Sequence, residues 1–320
     1  MIVVYAARYH LDIGLHVFPT VKYRRIAERL TDPRVRLVEP TPAGWEQLSL
    51  VHTDDYLRRM REGSITTGDV AQLELPWSSD LVEAFRLMVG GTILAARIAC
   101  GLETAFTTPA AFTTPADFTT PADFTLPTSN FCVVHIGGGL HHAFPNHGEG
   151  FCPFNDVAVA VRVLQSQGVK RHAIVDLDVH HGNGTAFIFG DAGGDDRVFT
   201  FSMHQQHNYP MWKPRSSLDI GLPDGVHDAT YLRELAKALP QVLAHQPDCV
   251  FYLAGADPYE DDQLGGLRLT RDGLRQRDRI VIDACRAAAV PLVITMAGGY
   301  ARRVEDTVAI HCATIEEALR

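Results

Sequence analysis

Residues 174–185 read Ile174-Val-Asp-Leu-Asp-Val-His-His-Gly-Asn-Gly-Thr185, and the fold turns on how they are read. The run begins as an apolar β-strand, then sets Asp176, Asp178, His180 and His181 within six residues. Ionised carboxylates in an apolar strand are costly unless something positive faces them. The stretch therefore predicts a buried strand whose C-terminal end carries a functional cluster.

Working outward, short β-rich runs alternate with helical ones. Strands are predicted at Ile2–Tyr5, Val35–Val38, Phe131–Ile136, Ala173–Asp178, Val198–Met203, Cys249–Ala254 and Leu292–Met296. Helices are predicted at Thr20–Leu30, Thr53–Glu62, Ser79–Cys100, Asn155–Gln167, Ala229–Ala244, Arg271–Ala288 and Val304–Leu319. This alternation gives an α/β fold, a mainly parallel sheet sandwiched by helices. No linker divides residues 1–320, which are read as a single domain. Residues 106–129 break the pattern as four hexapeptides, FTTPAA, FTTPAD, FTTPAD and FTLPTS. Proline every sixth residue forbids a helix and discourages a central strand, so the segment reads as an extended insert. It precedes a strand and is expected at the sheet edge remote from the chemistry.

The composition is that of a soluble globular chain: 46% hydrophobic, 21% charged, formal net charge −9. That charge argues against a general nucleic-acid-binding surface. The N-terminal apolar run is too short for a signal peptide, and no stretch is long enough to span a membrane, so a cytoplasmic protein is expected. The six cysteines are scattered without a C-x-x-C pair and read as small core residues, with Cys152 close to the suspected site.

Four predicted strands end in Gly-rich loops with His, Asp or Tyr: "GGGLHHAFPNHGEGF", "VHHGNGT", "GADPYEDDQLGG" and "AGGY". In a parallel sheet such ends converge on one edge, where ligands bind. Asp178 and His180, two apart in an extended segment, point the same way. With Asp257 from another strand end they make a three-ligand site with an open position, as in catalytic zinc centres. Read singly, Asp257 is equally a cap or turn residue and Asp178 a hydrogen-bonded acid. His141 and His142, behind three glycines, suit acid–base chemistry, and Tyr300 suits hydrogen bonding to an oxyanion. The glycines are not a phosphate loop, since G-x-x-x-x-G-K-[ST] is missing.

In their order, "GGGLHHA…GEGFCPFNDVAVA", "DLDVHHGNGT", "AGADPYEDDQLGGL" and "AGGY" resemble the histone deacetylase superfamily, of the arginase–deacetylase fold. The resemblance covers nearly the whole chain apart from the insert. "HNYPMWKPRSSLDIGLPDG" and "AGADPYEDDQLGGLRLT" look closest to class IV enzymes and their bacterial relatives. The resemblance implies one catalytic zinc on Asp178, His180 and Asp257. It makes His141 the general base towards the metal-activated water, oriented by Asp176. His142, supported by Asn183, helps protonate the leaving amine, and Tyr300 beside Gly299 polarises the carbonyl. Gly150, Phe151 and Tyr209 would wall an acyl-lysine channel. A structural potassium ion would sit beside Asp176, Asp178, His180, Ser202 and Met203.

Asn183 stands where class I enzymes have aspartate, and an amide raises the histidine's basicity less. Leu264 stands where polyamine deacetylases carry an acidic gatekeeper. This favours acyl-lysine or neutral amides, although Glu260, Asp261 and Asp262 lie close in sequence and offer replacement charge. The implied reaction is hydrolysis of an N-acyl amide, in acylated lysine or a small N-acyl amine. A dimanganese ureohydrolase shares the fold, but Gly182 and Pro258-Tyr259 replace part of its second metal set. A non-catalytic acyl-lysine reader is the third reading, against which every suspected catalytic side chain is present.

Overall fold

The computed structural model describes residues 1–104, 132–190 and 194–320. The expectation for the 106–129 insert lies outside these residues. The strands are β1 (Ile2–Val4), β2 (Arg36–Val38), β3 (Cys132–His135), β4 (His172–Asp176), β5 (Val198–Gln205), β6 (Leu218–Leu222), β7 (Cys249–Leu253) and β8 (Leu292–Thr295). They form one sheet in the order β2-β1-β3-β8-β7-β4-β5-β6. Every pairing between neighbours is parallel.

Among the described residues, ten helices flank the sheet: α1 (Val21–Arg29), α2 (Trp45–Leu48), α3 (Asp54–Glu62), α4 (Thr67–Leu73), α5 (Ser79–Ala99), α6 (Asp156–Ser166), α7 (Asn183–Phe189), α8 (Asp228–Ala244), α9 (Arg271–Ala287) and α10 (Val304–Ala318). Helices α1, α10, α9 and α8 pack side by side, and α5, α6 and α7 form another packed group. None of the described helices is long and apolar enough to cross a membrane.

Local chemistry explains the elements. Strands β3, β4, β7 and β8 are buried at every residue, as expected where helices cover both faces of a parallel sheet. Thr53, Ser78, Asn155 and Thr270 each cap a helix by accepting a backbone N–H two or three positions into it. Close approach also selects glycine: a Cβ on Gly91 of α5 would lie 2.3 Å from His135 Nε2 of β3.

Three differences from the sequence reading matter. Strand β4 starts at His172 and ends at Asp176, two residues before the predicted Asp178, because Asp178 and the residues after it bend into a turn. Strand β6 was not expected: "LDIGL" carries Asp219 and Gly221, both disfavoured in strands, and survives as a half-exposed edge. Short helices α2, α4 and α7 were also missed, none of them long enough to show a helical period.

Candidate functional site

The four polar loops leave β3, β4, β7 and β8, which are contiguous in the sheet as β3-β8-β7-β4. Residues separated by 159 positions, His141 and Tyr300, therefore face one cleft, lined also by His142, Phe151, Asp178 and His180. Ligand convergence at the C-terminal edge of a parallel sheet accounts for this placement.

Asp178, His180 and Asp257 are buried, and one donor atom from each lies within 4.8 Å of the others. His180 Nδ1 is 3.0 Å from Asp178 Oδ1 and 3.4 Å from Asp257 Oδ2. Asp178 and His180 meet through a turn rather than by strand alternation. The Asp178 N–H donates to Asp176 Oδ1 at 3.2 Å, and the His180 N–H to Asp178 Oδ1 at 3.0 Å. Asp257 Oδ1 accepts the Val179 N–H at 2.9 Å, whereas its buried Oδ2 has no hydrogen-bond partner among the described residues. Gly255 and Gly298 make the room: a Cβ on Gly298 would lie 2.1 Å from Asp257 Oδ2 and 2.5 Å from Asp178 Oδ2.

Burial, reinforced by the Asp178 charge, pushes the Asp257 carboxyl up to about 7. Burial alone would lower His180, but the hydrogen bond to Asp178 and the close Asp257 carboxylate raise it to about 10. Two carboxylates and an imidazole, buried at the base of the cleft with one oxygen that no hydrogen bond occupies, suit a divalent cation with mixed O and N ligands.

Beside this set, His141 Nδ1 is 2.6 Å from Asp176 Oδ2, and His142 Nδ1 is 2.7 Å from Asn183 Oδ1. The two Nε2 atoms are 3.1 Å apart, close enough to share one proton. Burial disfavours charge on His141, yet Asp176 and Asp178 override it and raise the imidazole to about 9. His142 goes the other way, held well below its ordinary value by burial and by the charges of His141 and His180. The surroundings thus push the two neighbouring imidazoles in opposite directions.

Tyr300 is buried with its ring 6.4 Å from that of His180, and burial keeps its phenol protonated. Phe151 stacks on Phe18 at 5.8 Å and meets Tyr300 edge-on at 5.9 Å. The Tyr209 ring lies 5.0 Å from that of His142 and lines an adjoining cavity with Glu149 and Asn183. Gly150 is packed between these groups at φ +51°, and a Cβ there would lie 2.8 Å from His142 and 3.0 Å from Tyr209. Gly299 is similarly confined, by Thr307 and Ala256. Leu264 is partly buried against the core, its carbonyl accepting from Asn208 Nδ2. Ser202 pairs with Asp176 in the β4–β5 register and is hydrogen-bonded to His204; Met203 is buried beside it. His181 is buried away from the cleft residues, its Nε2 3.2 Å from Asp219 and its ring against His204. These last three form a second group with metal-ligand types.

Several supports were not read from the sequence. Asp156 accepts the N–H groups of Gly139 and Leu140 and the Thr92 hydroxyl, and so fixes the loop that carries the histidine pair. Asp262 accepts the N–H groups of Leu264, Gly265 and Tyr300, so its carboxylate is occupied rather than offered at the rim. Asp261 is likewise engaged, with Arg302. Lys22 is buried beneath Tyr300, its Nζ donating to Ala297 O at 2.8 Å. Its signal was present: in α1 it shares the inward face with Tyr23, Ile26 and Ala27. Cys152 lines the cleft, and burial pushes its thiol well above its ordinary value.

Known proteins match this architecture. The profile of the histone deacetylase domain matches residues 16–315. An uncharacterized protein of Picosynechococcus is 40% identical over 302 residues, covering 92% of this chain and 90% of that protein. Histone deacetylase 2 of Arabidopsis thaliana is 29% identical over 330 residues, covering 96% and 77%. A probable deacetylase of Archaeoglobus fulgidus is 30% identical over 279 residues, covering 83% and 70%. The crystal structure of the HDA15 HD domain shares the fold at a TM-score of 0.72 and 24% identity, over 100% of this chain and 91% of that one. With the profile spanning nearly the full chain and the sheet order bringing the family's motifs to one edge, the chain belongs to the histone deacetylase family.

Proposed function

We propose that the protein is a zinc-dependent deacylase that hydrolyses the amide of acylated lysine. The observation that carries this reading is the juxtaposition at the site's centre. A buried Asp178–His180–Asp257 donor set, with one oxygen that no hydrogen bond occupies, faces two histidines that each have their own polar orienting partner.

Zinc, when bound, lowers the pKa of a water towards ~7 and stabilises negative charge on the amide oxygen. Ligation would take up the charge of Asp178, which with Asp176 is what raises His141. His141 Nε2, its ring steadied by Asp176, then takes the water proton as the water oxygen bonds the carbonyl carbon. The Tyr300 hydroxyl donates to the carbonyl oxygen as negative charge develops there. The C–N bond breaks while the histidine pair returns the proton to the leaving nitrogen, His142 assisting. The products are a free amine and a carboxylate. Phe151 and Tyr209 flank the lysine stem, and Gly150 and Gly299, beside Phe151 and Tyr300, present backbone to it. A structural potassium ion beside Asp176, Asp178, His180, Ser202 and Met203 belongs to the same proposal.

Acetylated polyamines are the second candidate substrates. Acyl-lysine is favoured because Leu264 brings no charge to the rim and Asp261 and Asp262 are already engaged. The test is zinc-loaded protein against acyl-lysine peptides of increasing acyl length, with acetylated polyamines alongside. His142→Ala and Tyr300→Phe should each lower kcat by about 10²–10⁴-fold with one zinc still bound. Near-normal turnover in both would sink the mechanism.

A further inference from the structure

Asn183 is one link in a longer chain. Its Oδ1 faces His142 Nδ1 at 2.7 Å, and its Nδ2–H donates to Glu149 Oε1 at 2.7 Å. The carboxylate fixes which way the amide points, because only the NH₂ side can face an acceptor. Asn183 Oδ1 must then accept from His142, which places the proton on Nδ1 and leaves the His142 Nε2 lone pair towards His141. An amide donating to a carboxylate is also polarised, so its carbonyl oxygen becomes a stronger acceptor.

Glu149 is itself firmly held. Its Oε1 also accepts the Tyr209 hydroxyl at 2.8 Å, and its Oε2 accepts from Gln72 Nε2 at 3.1 Å and faces His147 Nε2 at 3.4 Å. The side chain is 15% exposed, and among the described residues no lysine or arginine forms an ion pair with it. His147 faces only Oε2; Oε1, which accepts from Asn183 and Tyr209, has no cationic partner among the described residues and is the oxygen that feeds the hydrogen-bond chain. Burial works against that charge, but the hydrogen bonds from His147, Tyr209, Asn183 and Gln72 outweigh it and hold the carboxyl below its ordinary value.

We propose that Glu149 is a positioning residue that supplies, through Asn183, the negative charge missing from His142's own contact. Glu149, Asn183 and His142 form a relay from the channel wall at Tyr209 to the histidine pair. The deacylase reading defines what the relay serves, whereas its geometry stands without it. The relay differs from simple loop anchoring, for which Gln72 and Tyr209 would be the partners that matter.

The test is a swap of charge along the relay. Glu149→Gln keeps the shape and removes the charge; it should lower kcat by about tenfold or more with KM within about threefold. Asn183→Asp alone sets a second carboxylate against Glu149 and should be at least as damaging. Combined as E149Q/N183D, the charge moves one link inward, next to His142, and the introduced glutamine amide can donate to it. This double variant should recover to within about threefold of wild type, a coupling that independent sites do not show. Gln72→Ala, which removes an anchor of Glu149 outside the relay, should keep kcat.

The His142 Nδ1–H resonance of ¹⁵N-histidine-labelled protein gives a readout that needs no turnover. It should move upfield in E149Q and return downfield in E149Q/N183D. A wild type that hydrolyses no acyl-lysine peptide would overturn the deacylase reading, and the resonance would still judge the relay. Additive kcat losses in the double variant, or a resonance indifferent to Glu149, would overturn the relay itself.

Discussion

The Gly298 N–H donates to Asp178 Oδ2 at 2.8 Å, bringing backbone from the end of β8 against a side chain from the end of β4. The contact is possible because residue 298 has no Cβ. Gly298→Ala would drive a methyl group into both Asp178 and Asp257. Because the obstruction is local, the variant should fold with a Tm within a few degrees of wild type yet lose the bound zinc. Metal stoichiometry by plasma emission, read beside a thermal melt, checks this; one zinc per chain would contradict the assigned ligand set.

Arg277 is fully buried and donates through Nη1 to Gly255 O at 2.6 Å and through Nε to Asp278 at 2.9 Å. Asp278 in turn accepts from Tyr252 and Thr314. Arg277→Met leaves that carboxylate buried without its cation, a defect that costs about 3–5 kcal/mol. Urea unfolding should show a loss of that size. Zinc affinity should fall as well, because the Gly255 carbonyl lies two residues from Asp257.

Glu317 on α10 accepts from Arg275 and Arg279 of α9 and from Arg320. Hydrogen bonding to Arg279 outweighs the opposing effect of burial, and with Arg320 and Arg275 it holds the carboxyl down at about 2, against an ordinary 4.5. A depressed folded-state pKa stabilises above the unfolded value, and that contribution disappears as pH falls through the folded one. Glu317→Gln should therefore cost about 1–3 kcal/mol at pH 7, with the gap to wild type closing between pH 4.5 and 2. A gap independent of pH would assign the loss to packing rather than charge.

Leu264 is partly buried against the core, and Asp262, two residues before it, is engaged by backbone N–H groups. Leu264→Glu should raise kcat/KM for acetylated polyamines by about tenfold relative to acetyl-lysine peptides, through a counter-charge for the second ammonium group. An unchanged ratio would show that the rim does not select by charge.

The sequence made the sheet and the site legible where the two signals coincide. "DLDVHHGNGT" and the three other Gly-rich loops sit directly after apolar runs, so topology alone brought them together. What escaped was set by contacts across the chain. Glu149 meets Asn183 from 34 positions away, and Asp262 meets Tyr300 from 38, so neither pairing has a local pattern. Of the three acids near Leu264, Asp262 escaped for the same reason: backbone N–H groups draw it inward. The end of β4 was misplaced because an extended strand and an aspartate-stabilised turn share the same alternation of side chains over so short a span.

The sheet order has a consequence for how the protein comes to exist. Strand β8, the last of the strands in chain order, lies between β3 and β7 at the centre of the sheet. A ribosome-bound chain that has emerged only through β7 lacks that central strand, so β3 and β7 present unpaired apolar edges that invite association with other chains. The Gly298 contact to Asp178 and the Tyr300 hydroxyl both arrive with β8 and the loop after it. The site is thus assembled only once β8 and the loop after it have been made, and shorter translation products should collect chaperones.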